Sequence, residues 1–304
     1  MKAIQIKEYG DENVMQFTDV ERPQAQKNEI LVKIEAAAIN PVDGKIRDGK
    51  GKLWGLKLPL ILGADFAGIV EEVGEEISKY KKGDEVYGKI LIGCYAEYVV
   101  VKENELSLKP KNLNFDEAAS IPMGALTAYQ AIFDTANLQS GQKILVHGAS
   151  GGVGSMAVQL AKAKGAYVTA TASASNKDFV MSLGADEFID YKNEDFEKQV
   201  KDQDVVFDSI GEETNEKSYQ VLKKGGFLVS LVQKGDDELM KKYGVTAKVM
   251  SSHPNPTQLE EITKMIEDGK IKTRVDQTFA LKDAIEATKQ SEEGHVQGKI
   301  VLNP

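Results

Sequence analysis

The residues His147-Gly148-Ala149-Ser150-Gly151-Gly152-Val153-Gly154 form a glycine-rich turn of the kind that cradles phosphate groups. Ala149, Gly151 and Gly154 fall on the G-x-G-x-x-G spacing, with alanine in the first glycine place. Gly151 lets the backbone approach a pyrophosphate, whose charge the N–H groups at a helix start stabilise, and Gly154 permits a helix to lie close against a strand. Ser150, Gly151, Gly152 and Val153 are therefore candidates for contact with the phosphates of a dinucleotide. A glycine turn that merely joins a strand to a helix has the same string, so the context decides. Here a β-rich run, residues 143–147, leads directly into the turn, and an apolar-periodic segment follows it.

The next strand selects between the two nicotinamide dinucleotides. NAD-selective sites place Asp or Glu about 20 residues beyond the turn, where it accepts hydrogen bonds from the ribose 2′-OH. This chain reads Thr171-Ala172-Ser173-Ala174-Ser175-Asn176-Lys177 there. No carboxylate in that run repels a 2′-phosphate, Ser173 can donate a hydrogen bond, and Lys177 can add a charge-assisted one. NADPH is the expected cofactor, the alternative being that Lys177 is only a solvated lysine at a helix start.

These residues need a doubly wound sheet to position them. Beyond residue 143, β-rich runs at 143–147, 167–171, 187–189, 204–208, 226–230 and 245–250 alternate with helical patterns through Lys164, around 179–183 and through Leu222. That alternation predicts an α/β fold with a parallel, doubly wound Rossmann sheet and right-handed crossovers. Residues 1–108 differ, with short β runs at 29–35, 68–73 and 97–101 set between Gly, Pro and Asp turns. A helix over 124–133 joins the regions. An amphipathic helix through Ile262, Met265 and Ile266 precedes β runs at 274–279 and 298–302, which close back on the first domain. The expected division is a catalytic domain over 1–121, a nucleotide domain over 122–267 and a return segment over 268–304.

Composition narrows the partners. The 304 residues carry 38 Lys and Arg against 47 Asp and Glu, a net charge of -9 that disfavours nucleic acid. No apolar run approaches the roughly 20 residues of a membrane helix, and residues 1–6 alternate like a strand rather than a signal peptide, so a cytosolic protein is expected. One cysteine, Cys94, excludes an intramolecular disulfide, and three histidines, His147, His253 and His295, form no zinc-ligand cluster. Nothing beside Cys94 lowers its thiol pKa, so it is expected to be a packing residue. His147 is expected only to end its strand.

Four segments taken in order resemble the zinc-independent quinone oxidoreductase branch of the medium-chain dehydrogenase/reductase superfamily, end to end. They are Ala36-Ala37-Ala38-Ile39-Asn40-Pro41-Val42-Asp43, the stretch from Pro59 to Val70, Gly83-Asp84-Glu85-Val86-Tyr87-Gly88, and the glycine-rich turn. The resemblance implies a GroES-like β-barrel domain beside the Rossmann domain, with the nicotinamide held in a cleft between them, and a homodimer. Zinc-dependent members place a cysteine near Asn40, a His-Glu pair at Ala64-Asp65 and a second cysteine near Met123. All three ligand places are lost here, and so is the four-cysteine structural zinc lobe, since Gly88 runs almost directly into Cys94. Neither a catalytic nor a structural zinc is expected.

The resemblance also implies individual roles. The match to Asn40 approaches the nicotinamide, that to Thr127 lies near the cofactor phosphate and ribose, and those to Lys177 and Tyr191 contact the 2′-phosphate. Ile210 and Ser230 stand at strand ends where relatives line the cofactor, through their backbone rather than their side chains. Lys299 lies in a segment, 295–301, that folds back near the cofactor in relatives; a surface lysine beside a last strand is the other reading. Asn40 is otherwise a turn residue before Pro41, Thr127 a helix hydroxyl, and Tyr191 a half-buried aromatic.

NADPH without a metal favours hydride transfer to a small electrophile that needs little Lewis-acid help, a quinone or the β-carbon of an enone. Asn40 is the first candidate to donate a hydrogen bond to the developing oxyanion. Asp43 either holds a neighbouring group in place or is a solvated turn carboxylate, and no general acid stands out. Arg47, Trp54 and Leu56 could shape the acceptor pocket, and Trp54, the only tryptophan, either stacks on a flat quinone or is buried in the β domain. An NADPH quinone reductase is the leading expectation; an enone or alkenal reductase and a non-enzymatic NADPH-binding redox sensor are its rivals.

Overall fold

A computed structural model describes residues 1–294 and 296–304, and the expectation for His295 lies outside the described residues. The chain divides into two units, one of residues 1–123, 254–269 and 273–304, the other of residues 124–253 and 270–272.

The second unit carries a six-stranded parallel sheet. Its strands lie side by side as Glu187–Asp190, Tyr167–Ala172, Lys143–His147, Gln203–Asp208, Leu222–Ser230 and Thr246–Val249. Numbered along the chain this is the order 3-2-1-4-5-6 of the Rossmann fold, with its reversal between Lys143–His147 and Gln203–Asp208. The near-continuous apolar strands are what a parallel sheet buried on both faces requires. Leu145, Val206 and Leu228 are fully buried in one cluster with Tyr219 and Val221. The helix expected through Leu222 is shorter, Glu212–Ser218, and Leu222 instead opens the next strand.

The first unit is antiparallel in its main part. The long strand Ile30–Ala38 pairs with Asp65–Val73, which in turn pairs with Glu85–Lys89. Along its other edge Ile30–Ala38 serves two partners, Tyr98–Val101 against Ile30 to Lys33, and Lys299–Asn303 against Ala37 and Ala38. Register shifts on both sides of Ile34 interrupt its pairing with Asp65–Val73. The return segment therefore adds its strand at the end of Ile30–Ala38 that runs into Asn40.

One boundary differs from expectation. The amphipathic helix Pro256–Glu267, expected in the nucleotide domain, belongs to the first unit. Tyr87 Oη donates to the Leu259 carbonyl at 3.1 Å and bonds Thr263 Oγ1 at 2.8 Å, while Asn112 Nδ2 donates to the Ile266 carbonyl at 3.1 Å. Residues 270–272 then rejoin the second unit, where Gln159 bonds both the carbonyl and the N–H of Lys272. Among the described residues no helix is long and apolar enough to cross a membrane.

Candidate functional site

Two constellations emerge, one in each unit. In the second unit the turn follows Lys143–His147 and opens the helix Gly154–Ala163. The chain bends at Gly148, with φ 71°, one residue before the alanine in the first glycine place. A Cβ on Gly154 would stand 2.1 Å from the Gly148 carbonyl oxygen, so only glycine lets the helix begin this close to the strand end. At Gly151 the nearest neighbour of an added Cβ is that same oxygen at 3.5 Å, an ordinary contact. The Gly151 backbone is thus not packed shut, which suits the approach of a pyrophosphate.

Asn176, to which the sequence pattern assigns no role, ties this turn to the next strand end. Its Nδ2 donates to Ser150 Oγ and to Ser173 Oγ, both at 3.1 Å. Ser173, Asn176 and the exposed Lys177 therefore share one rim with the turn. Tyr191 stands exposed after the neighbouring strand, its N–H bonded to the Ala172 carbonyl at 3.3 Å, so it is not the half-buried aromatic considered above. Ile210 is exposed and its Cδ1 lies 3.2 Å from where a Gly148 Cβ would be, which puts it beside the turn.

A carboxylate does stand near this rim. Asp190, paired across the strands with Ala172, accepts from Ala174 N–H at 3.2 Å and from Asn193 Nδ2 at 2.6 Å. The Asn193 hydrogen bond, with the Lys192 and Ala174 amides, holds its carboxyl below the usual range. A search of the residues just after the second strand misses it because it lies on the third.

Several candidate side chains are already engaged. Ser230 Oγ donates to Asp208 Oδ2 at 2.9 Å and accepts from the Val232 and Gln233 amides, leaving its backbone as the contact mode expected. Thr127 Oγ1 bonds Ser252 Oγ at 2.7 Å, and Gln130 clamps the backbone of His253 through both ends of its amide. His147 is more than a strand end. Its ring bonds Thr171 Oγ1 at 3.0 Å and Ser218 Oγ at 3.1 Å, and burial pushes its imidazole down to about 4, so it is neutral.

In the first unit the cluster is charged and enclosed. Asn40 ends the loop after Ile30–Ala38 and begins the short helix Pro41–Lys45, with Pro41 suited to the first helical position. Its Nδ2 donates to the Ala38 carbonyl at 3.1 Å and to Asp65 Oδ2 at 3.0 Å. Its Oδ1 accepts a hydrogen bond from Lys299 Nζ, which also donates to the Ile39 carbonyl at 2.8 Å and lies 3.7 Å from Asp65 Oδ2. Lys299 is 7% exposed, which removes the surface-lysine reading. Asp65 is fully buried and accepts the Met123 N–H on Oδ1 at 2.9 Å. Burial pushes the Asp65 carboxyl up, and the Lys299 charge and the Asn40 and Met123 hydrogen bonds oppose it.

The three places where zinc-dependent relatives hold their ligands thus come together around Asp65, with the Lys299 ammonium on the same carboxylate. Among the described residues no group of three His, Cys, Asp or Glu side chains is placed to hold a metal ion. Lys89, paired with Asp65 across the strands, is a second buried cation, pushed down to about 8 by burial against the pull of Asp65.

Asp43 is buried rather than solvated. Its Oδ2 accepts from the Asn40 N–H at 2.8 Å and from Tyr95 Oη at 2.7 Å. Tyr95, absent from the sequence-based candidates, reaches it because Gly63 has no side chain: a Cβ there would lie 2.3 Å from the Tyr95 ring. Cys94 is buried and its thiol is pushed up by burial, then by Asp65 and Asp43, in keeping with a packing residue. Arg47 does not reach out to shape a pocket, because its buried guanidinium bonds the Gly10 carbonyl, Asp48 and Glu292. Leu56 packs partly buried against the core, whereas Trp54 is 48% exposed and not a core residue.

A Rossmann sheet with a glycine-rich turn, joined in one chain to a GroES-like β unit, is the architecture of nucleotide-dependent oxidoreductases. Residues 26–111 match the alcohol dehydrogenase GroES-like domain, and residues 183–302 the family described as zinc-binding dehydrogenase. The chain is 39% identical to 2-methylene-furan-3-one reductase of Solanum lycopersicum over all of this chain and 79% of that protein. It is 38% identical to the chloroplastic NADPH-dependent alkenal/one oxidoreductase of Arabidopsis thaliana, over all of this chain and 80% of that one. The quinone oxidoreductase structure from Coxiella burnetii superposes with a TM-score of 0.93 at 35% identity, covering 100% of this chain and 99% of that one. The protein belongs to the quinone oxidoreductase branch of the medium-chain dehydrogenase/reductase superfamily.

Proposed function

We propose that the protein is an NADPH-dependent reductase of conjugated carbonyl compounds that works without a metal, and that it reduces quinones. The observation that carries this reading is the Lys299 ammonium bonded to Asn40 and paired with Asp65, at positions where zinc-dependent relatives hold their metal. A fixed cation beside a carboxylate and an amide leaves no donor set for zinc, so the acceptor must be one that takes hydride without Lewis-acid activation.

The fit of the nucleotide rests on Ser150, Gly151, Gly152 and Val153 for the pyrophosphate, and on Ser173, Lys177 and Tyr191 for the 2′-phosphate. Thr127, Ile210, Ser230 and Lys299 remain candidates to line it. When bound, NADPH supplies a hydride from its nicotinamide ring. Asn40 does not have the free donor that the sequence suggested for a developing oxyanion, because both Nδ2 hydrogens go to the Ala38 carbonyl and Asp65; locked at both ends of its side chain, it would instead hold its loop fixed beside the acceptor.

A second reading is favoured by the names of two relatives, a 2-methylene-furan-3-one reductase and an alkenal/one oxidoreductase. It assigns the hydride to the β-carbon of an enone. Membership of a family of oxidoreductases speaks against the non-catalytic sensor. The acceptor is tested by incubation with NADPH deuterated at the transferred position. A quinone reductase yields hydroquinone, and an enone reductase yields a saturated carbonyl with deuterium at its β-carbon. Failure to oxidise NADPH with either acceptor would refute both. A cytosolic homodimer is the assembly that goes with this reading, and light scattering of the purified protein tests its stoichiometry.

A further inference from the structure

Two half-buried hydroxyls stand on the rim proposed for the dinucleotide, Ser150 in the glycine-rich turn and Ser173 at the end of the next strand. Asn176 joins them, its Nδ2 donating to Ser150 Oγ and to Ser173 Oγ at 3.1 Å each. An amide nitrogen carries two hydrogens and accepts nothing, so each serine oxygen is the acceptor in its bond. The hydrogen of Ser150 therefore points away from Asn176, and the bond it accepts is the only one its side chain makes among the described residues. Ser173 Oγ also meets Ser175 Oγ at 3.1 Å, where either hydroxyl can donate. A phosphate draws the Ser173 hydrogen to itself, because a hydrogen bond to an anion is roughly twice as strong as one between neutral groups. The local backbone is closed without this amide. The Asn176 N–H donates to the Ser173 carbonyl at 2.8 Å, and Asp190 Oδ1 takes the Ala174 N–H at 3.2 Å. What the Asn176 side chain adds is the direction in which two hydroxyls face.

We propose that Asn176 is a positioning residue for NADPH selectivity: it holds Ser150 and Ser173 as acceptors on the protein side, so that Ser173 presents its O–H to the 2′-phosphate and Ser150 its O–H to the pyrophosphate. The proposal rests on the nucleotide reading above. Asn176 acts through the serines and needs no contact of its own with the ligand. The pyrophosphate is common to NADPH and NADH, so a loss through Ser150 falls on both cofactors. The 2′-phosphate belongs to NADPH alone, and so does a loss through Ser173. Asn176→Asp inverts the device at nearly constant size: a carboxylate only accepts, so it takes the hydrogens of the two serines, and its charge repels the 2′-phosphate.

The test is calorimetric titration of NADPH and of NADH into the full chain, for wild type, Asn176→Ala, Asn176→Asp, Ser173→Ala and the double variant Asn176→Ala/Ser173→Ala. Asn176→Ala is expected to raise the Kd for NADPH about tenfold and that for NADH by about threefold at most, and Asn176→Asp to cut the preference for NADPH further. In the Ser173→Ala background, Asn176→Ala should leave the ratio of the two Kd values unchanged, because the hydroxyl it acts through is gone. A residue that only braced the loop would change the ratio equally with or without Ser173. Retained NADH binding reports that each variant is folded. An unaltered ratio in Asn176→Ala overturns the proposal and leaves the NADPH reading intact, as does an undiminished effect of Asn176→Ala when Ser173 is absent. Equal loss of both cofactors in Asn176→Ala and Asn176→Asp makes Asn176 a brace of the turn and overturns it too. Wild type that binds NADH as well as NADPH, or better, overturns the nucleotide reading and the proposal with it.

Discussion

The two constellations hold polar groups in opposite ways. The turn of the second unit is shaped by its glycine backbone, and Lys177, Tyr191 and Ile210 nearby are exposed. The cluster of the first unit works through side chains: Asn40, Asp43, Asp65, Lys89 and Lys299 are all buried. An open rim suits a ligand that brings its own charge, which solvent and a few donors accommodate. A sealed cluster suits fixed geometry, because a buried charge must be matched inside the protein. Damage to the cluster should therefore be paid in stability, and damage to the rim in affinity.

The largest expected effect breaks the cluster. Asp65→Ala leaves the Lys299 ammonium buried without its carboxylate, and the variant should lose about 3–5 kcal/mol in denaturant titration. A loss below 1 kcal/mol would mean that the cluster relaxes into solvent. The second unit has its own buried titratable group in His147, whose imidazole is lowered from 6.5 to about 4. A depressed pKa contributes stability that is complete above 6.5 and is lost as pH falls through about 4. Between those values unfolding should become easier by on the order of 3 kcal/mol, and His147→Gln should flatten that part of the pH profile.

At the rim, Lys177→Ala should weaken NADPH binding by about 1.5–3 kcal/mol and leave NADH nearly unchanged. Equal losses in calorimetry would make Lys177 a solvated lysine. Asp190→Asn is the mildest change, expected to raise NADPH affinity a few-fold by removing a negative charge near the rim of Ser173 and Lys177 proposed to take the 2′-phosphate. A loss of affinity there would show that the carboxylate matters more for bracing Ala174 and Asn193.

The same contrast governs what could be read from the chain. Ser150 to Gly154 and the strand before them lie within a dozen residues, and their glycines encode backbone geometry locally, so the Rossmann half and its turn were legible. The lost zinc positions at Asn40, Ala64-Asp65 and Met123 were legible by resemblance. Their grouping with Lys299 and Tyr95 was not, because residues 40, 65, 95 and 299 meet only through the pairing of three strands and a loop. Lys299 therefore passed equally well for a surface lysine. Asp190 is hidden from the linear sequence for a related reason, being 18 residues past Ala172 and beside it only in the sheet. Gly63, opposite the Tyr95 ring, was a readable sign of close approach whose partner was not readable.

A metal-free, NADPH-selective hydride transfer is checked most directly by steady-state oxidation of NADPH and of NADH with a quinone and an enone, before and after exhaustive treatment with a zinc chelator. The predicted result is turnover with at least one acceptor, a kcat/KM for NADPH at least tenfold above that for NADH, and no change on chelation. Activity that vanishes with the chelator and returns with zinc, or a preference for NADH, would contradict it.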